Sequence, residues 1–430
     1  MQETSTTNSY QFERTALSNG LRVVTSTLPH TNAVSINILF GAGSRYETDD
    51  IAGASHLFEH MLFKGTERRP SPREVSEVVE GVGGALNAFT DREITGYWCR
   101  LARPHYRKGF DVLADMVRNS LLRPEDIDRE KQVVFEEIRS TYDSPAGRAG
   151  MILEELLWPD QPLGRDVAGS VESVRALSRD AMVKYLHTQY VASNTVVAIA
   201  GNVSHTDVVE QVNDLMGDFK DGEILSMFPF EDKLSGPGVQ IENRPTEQAH
   251  LAMGMHGLSM FDNDRHALGL LSVILGESMS SRLFEEIREK RGLAYDIHSS
   301  VHMLADTGAL IVESGIDPSR VYKAVPVIVE EIARIREGVT DREFEQAKEL
   351  SKGRMMLRME ESRVMSGFLG GQELLKKEIR TVDQVVADID AVQREDIARV
   401  AGRVIQPEKM VLSMVGPLED PEPLQKAMEF

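Results

Sequence analysis

The residues most able to do chemistry in this 430-residue chain lie in Ala54-Ser55-His56-Leu57-Phe58-Glu59-His60-Met61-Leu62-Phe63. Their spacing predicts one helix with two stripes. Ala54, Leu57, Phe58, Met61 and Leu62 follow an i, i+3, i+4, i+7, i+8 pattern, which marks a core-facing stripe. His56, Glu59, His60 and Phe63 repeat that spacing on the opposite side. A helical turn takes 3.6 residues, so His56 and His60 stand one above the other. Two imidazoles so placed can hold one Zn²⁺. Glu59 lies on the same side, where it can reach a water on the metal. The order H-x-x-E-H is the inverted relative of H-E-x-x-H. A solvated helix face carrying two histidines and a glutamate would give the same pattern with no metal.

A catalytic zinc usually takes three protein ligands and a water, so two histidines are not enough. The helical stretch Asp128-Arg129-Glu130-Lys131-Gln132-Val133-Val134-Phe135-Glu136-Glu137-Ile138 offers carboxylates. Glu130 and Glu137 are about two turns apart and share a face. Glu136 points elsewhere, and Val133, Val134 and Ile138 form the expected packing side. A solvated acidic helix remains the alternative reading of this stretch.

Several elements must position these groups. Phe12 to Ser26 reads as a hairpin turning at Ser18-Asn19-Gly20. Ala33 to Phe40 is a half-buried strand, and an acidic loop at Glu47-Thr48-Asp49-Asp50 precedes the histidine helix. A second helix starts near Ser71-Pro72, where Pro is tolerated early. Strands are expected at Ala85–Thr90 and Ile94–Cys99, and helices at Tyr106–Leu121 and Ile127–Thr141. Asn194 to Gly201 reads as a buried strand, with a helix to about Gly217. Lys220 to Gly238 is polar and aperiodic, as a linker would be.

The second half repeats the first. Val196-Val197-Ala198-Ile199-Ala200-Gly201 matches Val411-Leu412-Ser413-Met414-Val415-Gly416, and Ser173 to Asp180 matches Asp388 to Glu395 at the same offset. Gly65 then pairs with Gly276. His56, Glu59 and His60 fall against Ala267, Leu270 and Leu271, so the duplicate keeps the scaffold and loses the ligands. The expected fold is α+β: two homologous domains, each a mostly antiparallel sheet with helices packed on one face. The expected division is 1–219, a linker at 220–238, and 239–430.

Composition narrows the function. The chain carries 68 acidic and 48 basic residues, a net charge of −20. That argues against nucleic acid as a partner and could steer a basic peptide. Cys99 is the only cysteine, which excludes an intrachain disulfide and a cysteine-based zinc site. Met1 to Thr7 lacks a basic stretch followed by an apolar run, and no stretch is long enough to span a bilayer. The expectation is a cytoplasmic protein that does not engage a membrane.

Taken with the duplication, His56-Leu57-Phe58-Glu59-His60-Met61-Leu62-Phe63-Lys64-Gly65-Thr66 and Arg129 to Ile138 resemble the M16 metallopeptidases, the family of pitrilysin and the mitochondrial processing peptidase. The resemblance covers almost the whole chain. It implies a zinc endopeptidase with Glu137 as third ligand, Glu130 orienting a ligand histidine, and Glu59 as general base. Arg282 to Tyr295 resembles the family's substrate-clamping segment, which implies that Arg288 and Tyr295 hold the substrate backbone and its developing oxyanion. From spacing alone, that segment reads rather as an amphipathic helix with surface charges and a core tyrosine. Asn87-Ala88-Phe89-Thr90 resembles the edge strand beside the zinc, onto which an extended peptide can add; Asn87 could equally cap its strand. Active family members enclose substrate in a chamber of four such domains. The resemblance therefore implies a homodimer, or a heterodimer with a homologous chain. A non-catalytic subunit of the same fold is the competing reading.

Overall fold

The expected hairpin forms as β1 (Glu13–Ala16) and β2 (Arg22–Thr27) in a computed structural model that describes residues 11–429. Met1 to Thr7, read above for a leader, lie outside the described residues. The chain falls into two compact units. The first comprises the chain up to residue 136, residues 166–228 and residues 354–386; the second comprises residues 137–165, 229–353 and 387–430.

The first unit is built on a six-stranded sheet. It adds β3 (Ala33–Phe40), β4 (Ala85–Thr90), β5 (Thr95–Ala102) and β6 (Thr195–Gly201), in the order β1-β2-β6-β3-β5-β4. The second unit holds β7 (Gly238–Asn243), β8 (Ala249–His256), β9 (Ala294–Met303), β10 (Gly308–Ile316) and β11 (Val411–Gly416), ordered β7-β11-β8-β10-β9. Leaving β1 aside, the two orders are the same. β6 and β11, the strands matched by the sequence repeat, occupy the same place. Each runs parallel to one neighbour (β2 or β7) and antiparallel to the other (β3 or β8). All remaining pairs are antiparallel.

The helices that matter to the site are α1 (Ala54–Met61), α2 (Pro72–Glu80), α3 (Tyr106–Asn119), α4 (Pro124–Asp143) and α5 (Pro145–Leu157). α2 starts where the sequence indicates: Ser71 Oγ accepts the Glu74 N–H, and Pro72 occupies the first turn. Inside the first unit, Phe40 stacks on Tyr190 at 4.1 Å between ring centroids, and Phe58 of α1 lies 6.0 Å from the same ring. Residues on the opposite face of β3 meet the helix Ser362–Leu375. There Asn37 Nδ2 donates to Ser366 Oγ at 2.7 Å, and the Ser35 and Ser362 hydroxyls hydrogen-bond at 2.9 Å. Helices therefore cover both faces, whereas the sequence places them on one. This second layer explains why every residue of β6 is buried.

The covering helix comes from the far half of the chain. The second unit does the same in reverse. α5 lies on its sheet, where Ser413 Oγ donates to the Ala149 carbonyl at 2.6 Å, and Ile152, Leu153 and Leu157 pack with Ala252, Ile311 and Val411. The compact units thus interleave along the chain, unlike the division at 219 and 239. The physical reason is that a sheet needs both apolar faces covered, and helical periodicity shows that a helix buries a stripe without showing against which sheet.

Gly370 sets how closely the exchanged helix approaches. A Cβ there would lie 2.5 Å from Leu39 Cδ1 and 2.7 Å from Ala198 Cβ. Gly370→Val is expected to destabilise the protein by about 1–3 kcal/mol through overpacking, read by denaturant unfolding; a variant as stable as the parent would refute this packing account. Among the described residues, no helix is long and apolar enough to cross a membrane.

Candidate metal centre

α1 begins at a sharp turn. Gly53 has φ +91°, and a Cβ there would lie 2.5 Å from the Ala168 carbonyl oxygen, so the position requires glycine. The buried Glu47 carboxylate accepts the N–H groups of Gly53 (2.8 Å) and Ser55 (2.6 Å). A carboxylate at this end satisfies early helical donors and opposes the positive pole of the helix dipole. Ser55 shares a further hydrogen bond with the buried Tyr185 hydroxyl at 2.8 Å.

The expected core stripe is fully buried: Ala54, Leu57, Phe58, Met61 and Leu62 all have 0% exposure. His56, Glu59, His60 and Phe63 are partly exposed on the other side. The two imidazole rings lie 4.7 Å apart between centroids. In the second unit, the helix Arg265–Gly276 has Ala267, Leu270 and Leu271 at the matching positions, all buried. The duplicate has turned the ligand face into core.

α4 runs unbroken through residues 136 and 137, so one rigid helix carries both Glu130 and Glu137. Its packing side is Ile127, Val134 and Phe135, with Ile138 half-buried. Val133, expected on that side, is 41% exposed, because its neighbour Val134 points at the core and one residue turns about 100° around the helix. Glu136 and Glu137 are both exposed. Potential ligand atoms of His56, His60 and Glu137 lie within 4.8 Å of one another. Two imidazoles and a carboxylate are a donor set suited to Zn²⁺, whose ligand distances of about 2.0–2.2 Å would draw these side chains closer.

Each group's surroundings fit such a role. Burial, and then the neighbouring His60, push the His56 imidazole down to about 4, so it is neutral near pH 7 with a lone pair to offer. Glu130 is buried and accepts a hydrogen bond from His60 Nδ1 at 2.9 Å, which leaves Nε2 as that ring's lone-pair nitrogen. Its other oxygen pairs with Lys64 Nζ at 2.6 Å. Burial alone would raise the Glu130 carboxyl, but the bonds from His60 and Lys64 outweigh it and hold the group below the usual carboxylate range. Glu59 accepts a hydrogen bond from Thr90 Oγ1 at 2.6 Å. The buried hydroxyls of Tyr97 and Tyr190 are 3.1 Å apart. Burial chiefly, with the Glu59 charge adding, pushes both phenols above their ordinary range, so they stay protonated.

The other predicted residues fall as follows. On β4, Asn87 and Phe89 point outward while Ala88 is half-buried. Asn87 Oδ1 accepts the Ala88 N–H at 2.8 Å, and a Cβ at Gly96 would collide with the Phe89 ring. In the second unit, Arg288 lies on a π-helical turn, Phe284–Lys290, and Tyr295 near the start of β9. The Arg288 guanidinium sits 4.7 Å from the centroids of both the Phe284 and Tyr295 rings. Tyr295 is 75% exposed, so it is not the core tyrosine that its spacing also allowed. Three contributors were not singled out from the sequence. Glu47 sits in an acidic run that reads as loop, Lys64 lies one turn beyond His60, and Thr90 ends a strand that the sequence indicated.

Comparisons with known proteins place the chain in a family. Residues 22–171 match the family described as Insulinase (Peptidase family M16), and residues 176–351 match the Peptidase M16 inactive domain. An uncharacterized zinc protease of Streptomyces coelicolor is 38% identical over 414 residues, covering 95% of this chain and 90% of its own. The uncharacterized zinc protease YmxG of Bacillus subtilis is 33% identical, covering 94% of this chain and 98% of its own. The crystal structure of a protease from Helicobacter pylori has the same fold. Its TM-score is 0.89 at 23% identity, covering 95% of this chain and all of that one.

Proposed function

Because this chain belongs to peptidase family M16, we propose that it is a zinc-dependent endopeptidase acting on peptides or unfolded segments. The observation that carries the proposal is the convergence of His56, His60 and Glu137, with Glu59, next to His60 in sequence, held by Thr90. Zinc in such a donor set acidifies a water and polarises a carbonyl. Glu59 takes the proton from the attacking water and passes it to the leaving amine. Glu130 fixes the tautomer and orientation of His60. Tyr295 donates a hydrogen bond to the substrate oxygen as charge builds there, and Arg288 holds the substrate backbone. An extended substrate adds to the outer edge of β4 at Asn87, Ala88 and Phe89, the strand whose other edge pairs with β5.

A homodimer that encloses the substrate in a chamber is the proposed assembly, and the charge of −20 favours basic peptides. The second reading is a non-catalytic peptide-binding or structural chain. The inactive-domain match over residues 176–351 favours it for the second half, but it leaves Glu59 without a task. Short basic and neutral peptides, incubated with zinc-loaded protein of known size with and without chelator, separate the readings. Chelator-sensitive cleavage by a dimer is expected; absence of cleavage would reject the enzyme, and cleavage by a monomer would reject the chamber.

Glu130→Gln tests the His60 support separately. Losing the charge-assisted bond at His60 Nδ1 is expected to weaken zinc binding by about 10–100-fold, measured by competition with a chelating dye. Unchanged affinity would remove Glu130 from the account.

A further inference from the structure

β4 meets the helix that bears the proposed base through one hydroxyl. Along β4, Leu86, Ala88 and Thr90 are half-buried while Ala85, Asn87 and Phe89 are exposed. The period of two therefore turns Thr90 inward, and its Oγ1 donates to Glu59 Oε2 at 2.6 Å. Thr90 is itself held. It pairs across the sheet with Thr95, whose hydroxyl donates to the Ala42 carbonyl at 3.0 Å. Glu59 stands on a helix pinned at its start by Glu47 and packed through buried Leu57, Phe58 and Met61. Both partners of this bond thus sit on fixed backbone.

We propose that Thr90 is a positioning residue for the reaction, aiming the Glu59 carboxylate through this hydrogen bond. The inference rests on the reading of Glu59 as general base. A glutamate side chain has three rotatable bonds, and a base must meet its proton within hydrogen-bond reach. A charge-assisted hydrogen bond from a β-branched residue in a strand removes that freedom at one carboxylate oxygen. The other oxygen is the one that handles the proton. The arrangement has a further consequence. The residues proposed to receive the substrate, Asn87 to Phe89, immediately precede Thr90 on the same strand, so one strand places both the substrate backbone and the base.

Thr90→Val keeps the branched shape and strand preference and replaces the hydroxyl by a methyl group; Thr90→Ser keeps the hydroxyl. In Thr90→Val, kcat on a peptide substrate is expected to fall about 10–100-fold, the loss for a hydrogen bond to a charged group. KM and zinc content are expected to stay at parent values, and Thr90→Ser is expected to recover most of kcat. A role confined to strand structure would instead raise KM or lower stability, with no rescue by Ser. A crystal structure of Thr90→Val gives a readout that does not depend on activity: Glu59 is expected to leave the position it holds beside β4. Parent kcat in Thr90→Val, or Glu59 unmoved in its crystal, would overturn the proposal. If the parent protein cleaves no peptide, the enzymatic reading fails, and the Glu59 position in the variant still decides whether Thr90 aims it.

Discussion

Glu59→Gln will keep its zinc and lose peptide cleavage. The amide has nearly the shape of the carboxylate, and its oxygen can still accept the Thr90 hydroxyl that Glu59 Oε2 accepts at 2.6 Å. The helix around it will not notice the change, because its stability comes from the buried stripe of Leu57, Phe58, Met61 and Leu62 and from the Glu47 cap. The amide cannot take a proton from water. General-base catalysis typically contributes about 10²–10⁴ in rate, so kcat should fall by at least that much while metal analysis of the purified variant reads the parent value. Normal turnover in a metal-loaded Glu59→Gln protein would remove Glu59 from the role.

The second large effect separates two adjacent glutamates. Glu136 and Glu137 are both exposed on α4, and composition gives no reason to prefer either. Of the two, it is Glu137 that brings a carboxylate oxygen within 4.8 Å of both His56 and His60. Replacing one of three protein ligands costs more than disturbing an outer partner, itself about 10–100-fold in affinity. Glu137→Gln should therefore lose zinc on dialysis against metal-free buffer, and Glu136→Gln should retain it. Equal retention by the two variants would mean that the third ligand lies elsewhere.

Much of the scaffold was legible because short-range rules fix it. The 3.6-residue period separated core from ligand face on α1 without error, and the strands at Ala33–Phe40 and Ala85–Thr90 begin and end where expected, although the first, expected half-buried, is buried on both faces because helices cover both sides of the sheet. The duplication was legible because β6 and β11 keep both their sequence and their place in the sheet. The ligand set needed more than spacing. Glu130 and Glu137 share a face by periodicity, but the choice between them came from resemblance. The structure separates their surroundings, burying Glu130 against His60 and Lys64 and leaving Glu137 exposed.

What spacing could not reveal depends on contacts between residues distant in the chain. The helix Ser362–Leu375 reads as amphipathic wherever it lands; only the hydrogen bonds at Asn37 and Ser35 and the space at Gly370 assign it to the first sheet. Glu47 looks like one acid among several until its carboxylate is seen on the Gly53 and Ser55 N–H groups. Thr90 was visible as a strand residue, but neither its inward face nor its partner was. A hydroxyl carries no periodic signal of what it bonds.

The most direct measurement is anomalous diffraction at the zinc edge from crystals of the zinc-loaded protein. The account predicts one peak per chain, contacted by His56, His60 and Glu137, with Glu59 close by but not bound to it. A peak that Glu137 does not touch, or no peak between His56 and His60, would contradict it.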